Sequence, residues 1–247
     1  MRTPNKGFWT RQPPENTRVL STYQNPLAQA LAIAVIPGEQ EWFSKSYPVK
    51  SGTSSRGYGG WGRMVTTPST QVAGSFAYTV NLPAAFDCTL LLLHRCITSN
   101  TPSVFAYEMN SVEPIQMGAS GNLMRWHTAS NSTSDIALTN GALNCIVGVK
   151  RVNSNELYLN GMLQTTAVTG NRTVDPITNV SFGRTGGLNN LENVEYSLCL
   201  YWQRALKVNE VKLISMNPWQ LFAPSPSLDW SFLATAGAGN LFAQACL

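Results

Sequence analysis

The sequence predicts an all-β protein built as a two-sheet antiparallel sandwich. Three observations carry this expectation. Short β-prone runs follow one another at regular intervals from Ser75 to Trp202. Two such runs flank Asn160-Gly161, a pair that accepts the positive φ angles of a tight hairpin turn. Only Lys207 to Met216 carries its apolar residues, Val208, Val211 and Ile214, at helical spacing. A chain of 247 residues fits one large sandwich with extensions, and a body of that size can bury a substantial core.

Taken in order, residues 1–25 contain Pro4, Pro13 and Pro14, which oppose helix and central strand alike, and read as an extended arm. The globular body opens at Leu27 to Ile36, an apolar run stopped by Pro37-Gly38 and expected to be a strand after a short helical turn. Residues 40–74, with Gly57-Tyr-Gly-Gly-Trp-Gly62 at their centre, read as loop with one or two short strands. Strands are then expected at Ser75 to Leu82, Thr89 to Ile97, Val104 to Met109, Asn122 to Ala129, Ile136 to Thr139 and Leu143 to Val149. The hairpin covers Glu156 to Val168, and another strand covers Asn179 to Phe182.

In the last long strand, Val194 to Trp202, simple alternation puts Val194, Tyr196, Leu198, Leu200 and Trp202 on one core face. The short helix follows and is stopped by Asn217-Pro218. The predicted organisation is therefore an arm (1–25), a body (26–222) and a C-terminal extension (223–247).

Composition narrows the function. Charged residues are only 12% of the chain, so its polar surface is built mainly from Asn, Ser, Thr, Gln and Gly, which suits packing against neighbours. The arm carries +3 from Arg2, Lys6, Arg11 and Arg18 against Glu15, while the extension holds only Asp229. Four dispersed cations are too few for a nucleic-acid surface, so nucleic acid is not the expected partner. The beginning of the chain has no secretory pattern and no apolar run approaches a membrane span, so no membrane partner is expected. Five cysteines without CxxC spacing read as buried free thiols.

The residues offer little for catalysis. Glu39 and Glu41 have the alternate spacing that paired carboxylates need on a strand, but they follow an apparent turn and read as solvated surface groups, as do Glu192 and Glu195. His94 lies on a strand face with Leu90, Leu92 and Cys96 and reads as a buried or edge histidine. Nothing completes a zinc shell around it, and Asp135 and Asp175 are too few for a calcium site without backbone help. No enzyme activity and no cofactor are expected. Sugar binding needs exposed aromatic platforms beside polar groups, for which the candidates are Tyr58 and Trp61 in the glycine-rich stretch, with Trp126 and His127 second.

The second half resembles the concanavalin A-like (laminin G-like) jelly-roll family. The resemblance lies in Val147-Gly-Val-Lys-Arg151, Glu156-Leu-Tyr-Leu-Asn-Gly161, Val180-Ser-Phe-Gly-Arg184, and Val194 to Leu206 with Asn209, Glu210 and Leu213. Asn25-Pro-Leu-Ala-Gln-Ala-Leu31 and Asn217-Pro-Trp-Gln-Leu-Phe-Ala-Pro224 are similar to the opening and exit segments of the members carried on tailed bacteriophage particles. The resemblance spans about residues 25–224; residues 40–74 lack the family's usual aromatic and Asp-containing second strand.

This resemblance implies a jelly-roll body and a structural virion protein, a capsid decoration or tail accessory subunit, made in the host cytoplasm. Its expected partners are other virion proteins and copies of itself. Assembly contacts are expected from Arg2, Lys6, Arg11 and Arg18 in the arm and from Leu241, Phe242 and Leu247 in the apolar tail. The alternative is a glycan-binding module for attachment to a host cell surface.

Overall fold

The computed structural model describes residues 17–19, 25–36, 40–41, 43–51, 55–59, 62–67, 75–96, 104–107, 115–117, 123–128, 131–168, 173–182 and 194–224. These residues form a two-sheet antiparallel sandwich with one short helix, as the sequence predicts. The first sheet has seven strands in the order β12 (Asn131–Ser132), β11 (Trp126–Thr128), β9 (Ile115–Met117), β8 (Val104–Tyr107), β17 (Ile177–Phe182), β6 (Ser75–Leu82), β3 (Val49–Ser51). The second has the order β16 (Met162–Val168), β15 (Ser154–Leu159), β14 (Leu143–Arg151), β7 (Cys88–Cys96), β18 (Val194–Trp202), β5 (Gly62–Thr67), β4 (Ser55–Gly59).

Strand β2 (Leu31–Val35) pairs with the C-terminal half of β18, whose N-terminal half pairs with β5. Two small pairs complete the set: β1 (Thr17–Val19) with β19 (Phe222–Pro224), and β10 (Leu123–Met124) with β13 (Ile136–Ala137). The expected strand over Asn122 to Ala129 is thus two short strands that pair with different partners. Among its described residues, the stretch 40–74 contains three strands rather than one or two.

Two cores hold the body. Between the sheets, Phe182 packs edge-on against both Tyr78 and Tyr196, with ring centroids 6.0 and 5.6 Å apart. Trp126, fully buried, lies flat over Gly148; a Cβ there would sit 2.2 Å from Trp126 Cδ2, so only glycine lets the sheets close at this point. A second core covers the outer face of the eight-stranded sheet, where Leu91, Leu93, Leu198 and Trp202 meet Leu27, Ile214 and Trp219. Because both faces of β7 are covered, four consecutive leucines, Leu90 to Leu93, are all buried without alternation.

The same layering corrects the expectation for β18. All nine of its residues are buried, and a register shift between Tyr196 and Leu198 reverses the alternation. Val194, Tyr196, Cys199 and Tyr201 face the inter-sheet core, while Leu198, Leu200 and Trp202 face the second.

Local signals act as expected elsewhere. Asn160 and Gly161 take φ of 51° and 82°, the two positive angles that a type I′ turn requires. Asn160 also receives the Cys145 N–H on its Oδ1 at 2.9 Å, which extends the ladder past the turn. Helix α1 (Val208–Met216) starts where the Glu210 carboxylate accepts the Lys207 N–H at 2.7 Å, and gives way to a 3-10 turn, Pro218–Leu221. Asn25 joins the two ends of the body: its Oδ1 accepts the Leu27 N–H, and its Nδ2 donates to the Gln220 carbonyl at 3.1 Å. The described part of the arm, β1, lies on the protein's own exit strand, with Arg18 opposite Ala223.

Candidate functional site

Glu41 and Glu195 are structural carboxylates. Glu41 is not a solvated surface group: it is fully buried, and it accepts the Ala34 N–H on Oε1 at 2.9 Å and the Phe43 and Ser44 N–H groups on Oε2. Its pairing partner in sequence, Glu39, lies outside the described residues. Glu195 is likewise buried, held by two hydrogen bonds from the Arg95 guanidinium, and Glu192 lies outside the described residues.

His94 is fully buried, and loss of water pushes its pKa down to about 3, so the ring is neutral at ordinary pH. Burial pushes the Cys88 and Cys145 thiols up to about 12, and the Cys199 thiol higher still; all three are free and none is a nucleophile at neutral pH. Among the described residues, no three of His, Cys, Asp and Glu come together as a metal-binding set.

What Glu41 does is fix a turn. Its three accepted N–H bonds, the Glu41 N–H to Ser46 carbonyl bond at 2.9 Å, and Gln40 Nε2 donating to the Lys45 carbonyl at 2.7 Å hold residues 40–41 and 43–46. Lys45 turns the chain with φ of 57°, and Ser46 Oγ accepts the Thr79 N–H of β6 at 3.0 Å, tying the turn to the neighbouring strand. The side chains that this scaffold leaves in water are Phe43, Lys45, Tyr47 and Val49, with Tyr47 72% exposed. Beside them on the solvent face of the seven-stranded sheet stand exposed Thr79 and half-buried Asn179, whose backbones are paired. An exposed ring on a rigid turn beside a hydroxyl and an amide is the arrangement a sugar ring needs.

Tyr58 belongs to the same flank of the molecule. Ser51 ends β3, the edge strand of one sheet, and Ser55 opens β4, the edge strand of the other, on the flank that the Glu41 turn closes. Tyr58 stands opposite Arg63, and Gly59 opposite Gly62, closing a hairpin whose two intervening residues, Gly60 and Trp61, lie outside the described residues.

The other sequence candidates fall elsewhere. Trp126 is buried in the core and presents no face to a ligand, which removes it as a platform. His127 is half-buried, its Nδ1 lies 2.8 Å from Ser132 Oγ, and β11 is at the opposite flank of the sandwich, against β15. The expected assembly residues Arg2, Lys6, Arg11, Leu241, Phe242 and Leu247 lie outside the described residues, and of Arg18 only the backbone pairing is described. Sequence reading missed Tyr47 and Lys45. The available signal was the alternation of Ser46, Pro48 and Lys50 with Tyr47 and Val49 just after the first strand.

No protein-family model matches the sequence, and no curated protein does. Solved structures do resemble the fold. The binding domain of Paraclostridial Mosquitocidal Protein 1 superposes with a TM-score of 0.58 at 15% identity, over 75% of this chain and 51% of that one. The binding domain of Botulinum Neurotoxin DC in complex with SialylT gives 0.56 at 9% identity, over 75% and 50%. A mutant of Trypanosoma rangeli sialidase displaying trans-sialidase activity gives 0.58 at 11% identity, over 78% and 33%. The chain therefore spans about half the length of the binding domains and a third of the sialidase, and at such identities the likeness is one of fold. It supports the sandwich and carries no sign of a phage origin.

Proposed function

We propose that this chain is a non-enzymatic recognition domain that binds a cell-surface glycan on the flank closed by the Glu41 turn. The observation that carries the reading is Tyr47: a ring 72% exposed on a turn pinned by a buried carboxylate and tied through Ser46 to Thr79 of the neighbouring strand. A rigid turn loses little entropy on binding, so an exposed ring there is worth more than one on a loose loop. The fold neighbours include binding domains, one of them complexed with SialylT, which supports a glycan more than a structural role. Glycan-array binding by the whole chain, compared with its Tyr47→Ala variant, tests the reading: array signal that disappears in the variant is expected, and an array blank for the parent chain would end it.

A second reading, a subunit of an assembled particle, has one specific observation behind it. Strand β16 closes the eight-stranded sheet, bears no charge, and leaves Met162, Leu163 and Val168 in water, with Val168 84% exposed. Uncharged edges of this kind favour pairing with another chain. Sedimentation across a concentration series separates the two readings, since a monomer at all concentrations favours recognition alone.

A further inference from the structure

The layer that covers the outer face of the eight-stranded sheet is incomplete. Leu27, Ile214, Trp219 and Phe222 close there on Val147 of β14, Leu91 of β7 and Leu200 of β18. Residues directly opposite one another on paired strands share a face, and so do residues two apart on one strand. Leu163 stands opposite Tyr158, whose ring belongs to this outer core, and Thr166 and Val168 stand opposite Glu156 and Ser154 of the same strand face. Leu163, Thr166 and Val168 therefore lie on the outer face of β16, and all three are exposed.

This bare strip begins where the layer stops, at α1. The hairpin tip rests on the helix, since a Cβ on Gly161 would lie 3.3 Å from Ser215 Cβ and 3.5 Å from Lys212 Cα. Exposed Met216 follows Ser215, and Leu163 lies two residues beyond Gly161. Apolar side chains thus run from the end of α1 along β16, a strand without charge. The chain leaves the body from this same layer: Trp219 and Phe222 pack in its core, and β19 ends at Pro224. Residues 225–247 lie outside the described residues. Of their sequence, 241–247, Leu-Phe-Ala-Gln-Ala-Cys-Leu, is uncharged like the strip, whereas the nearer apolar run, 228–233, holds Asp229 and would bring a carboxylate onto apolar surface.

We infer that residues 241–247 complete the outer layer of their own chain, with Leu241, Phe242 and Leu247 lying over Leu163, Val168 and Met216. The sixteen residues 225–240 reach about 50 Å when extended, and the outer face from β18 to β16 is four strand spacings, about 19 Å. A segment on such a tether meets its own face at roughly millimolar effective concentration, ahead of any copy in dilute solution. The inference is independent of the glycan reading, whose flank is at the opposite edge of the sheets. The competing occupant of the strip is a second copy.

Cys246 makes the segment its own reporter, because Cys88, Cys145 and Cys199 are buried in the body. The experiment introduces Val168→Cys or Leu163→Cys into the full chain, oxidises the dilute protein with glutathione disulfide and maps the disulfides by peptide mass spectrometry. Exposed Val49, at the opposite edge, supplies the control as Val49→Cys. Expected is a link to Cys246 within one chain from at least one of the two β16 positions, formed about ten times faster or more than from Val49→Cys. Adding Phe242→Asp should slow that link by a similar factor, because a carboxylate opposes burial on an apolar strip. No link from either β16 position, equal rates from β16 and the control, or a rate untouched by Phe242→Asp each overturns the inference. Links that join two chains overturn it as well and give the strip to a second copy.

Discussion

The two flanks of the sandwich use similar residues in opposite ways. Where β11 and β12 lie against β15 and β16, the large aromatic Trp126 is buried over Gly148, and both nearby arginines, Arg125 and Arg151, are bound to carboxylates. Where β3 and β4 edge the two sheets, Tyr47 and Lys45 stand in water, and residues 42–86 contain no acid. On this second flank the buried charge is an anion, Glu41, satisfied by backbone N–H groups rather than by a cation. A flank whose polar groups answer one another is finished when it folds, whereas one whose internal bonds all serve to hold a turn has exposed groups left for a partner.

The sharpest way to break the closed flank is Gly148→Ala. The new methyl would overlap the Trp126 ring, so a loss of about 3 kcal/mol or more is expected, read from the urea midpoint. A variant as stable as the parent would mean that the sheets are not closed here by the indole. Glu41→Gln attacks the open flank from within. A single amide oxygen can accept on one side only, leaving its NH2 against backbone donors, so about 1–3 kcal/mol should be lost together with glycan binding. Retained binding with lowered stability would separate the turn from the site.

Between the flanks, on central β7, His94 makes stability depend on pH. Its folded pKa, about 3, lies below the ordinary 6.5, so as pH falls from 6.5 the unfolded chain takes up a proton that the native state refuses. Stability should decline by up to about 1.4 kcal/mol per pH unit between those limits, and His94→Leu should flatten the slope in urea titrations at pH 7, 5 and 4. Smaller effects are expected at the surface. Arg125→Ala breaks a partly exposed pair, with 44% of the arginine side chain in water, and should cost less than about 1 kcal/mol in a melt. Tyr47→Ala should leave the melt within about 0.5 kcal/mol while abolishing recognition; equal loss of both would make Tyr47 a packing residue.

Much of the scaffold was legible in the chain. The runs Ser75 to Leu82 and Val194 to Trp202 are strands over those same residues, and the helix begins one residue after its predicted start. The first apolar run is, as expected, a short helical turn followed by a strand. Such features depend on a period of two, on a residue that tolerates positive φ, or on a proline, all of which are local properties. The candidate site was legible only in part. Tyr58 lies on the flank that carries Tyr47, whereas Trp126, a second choice behind it, rests on an aromatic character equally suited to a core.

By itself, then, the sequence determined where the chain extends, turns and coils, because neighbours in sequence decide backbone angles. It also determined that residues 42–86 carry cations alone. Only the tertiary structure decided what is covered. The shift after Tyr196 sends Leu198 away from the face that strict alternation assigns it, and a third layer from Leu27, Ile214 and Trp219 makes that second face as dry as the first. Glu41 can be buried because the Ala34 N–H on the β2 backbone donates to it, in a sheet whose other strands come from residues 55–202. Burial is a property of two surfaces meeting, and no pattern along one strand states which surface will arrive to cover it.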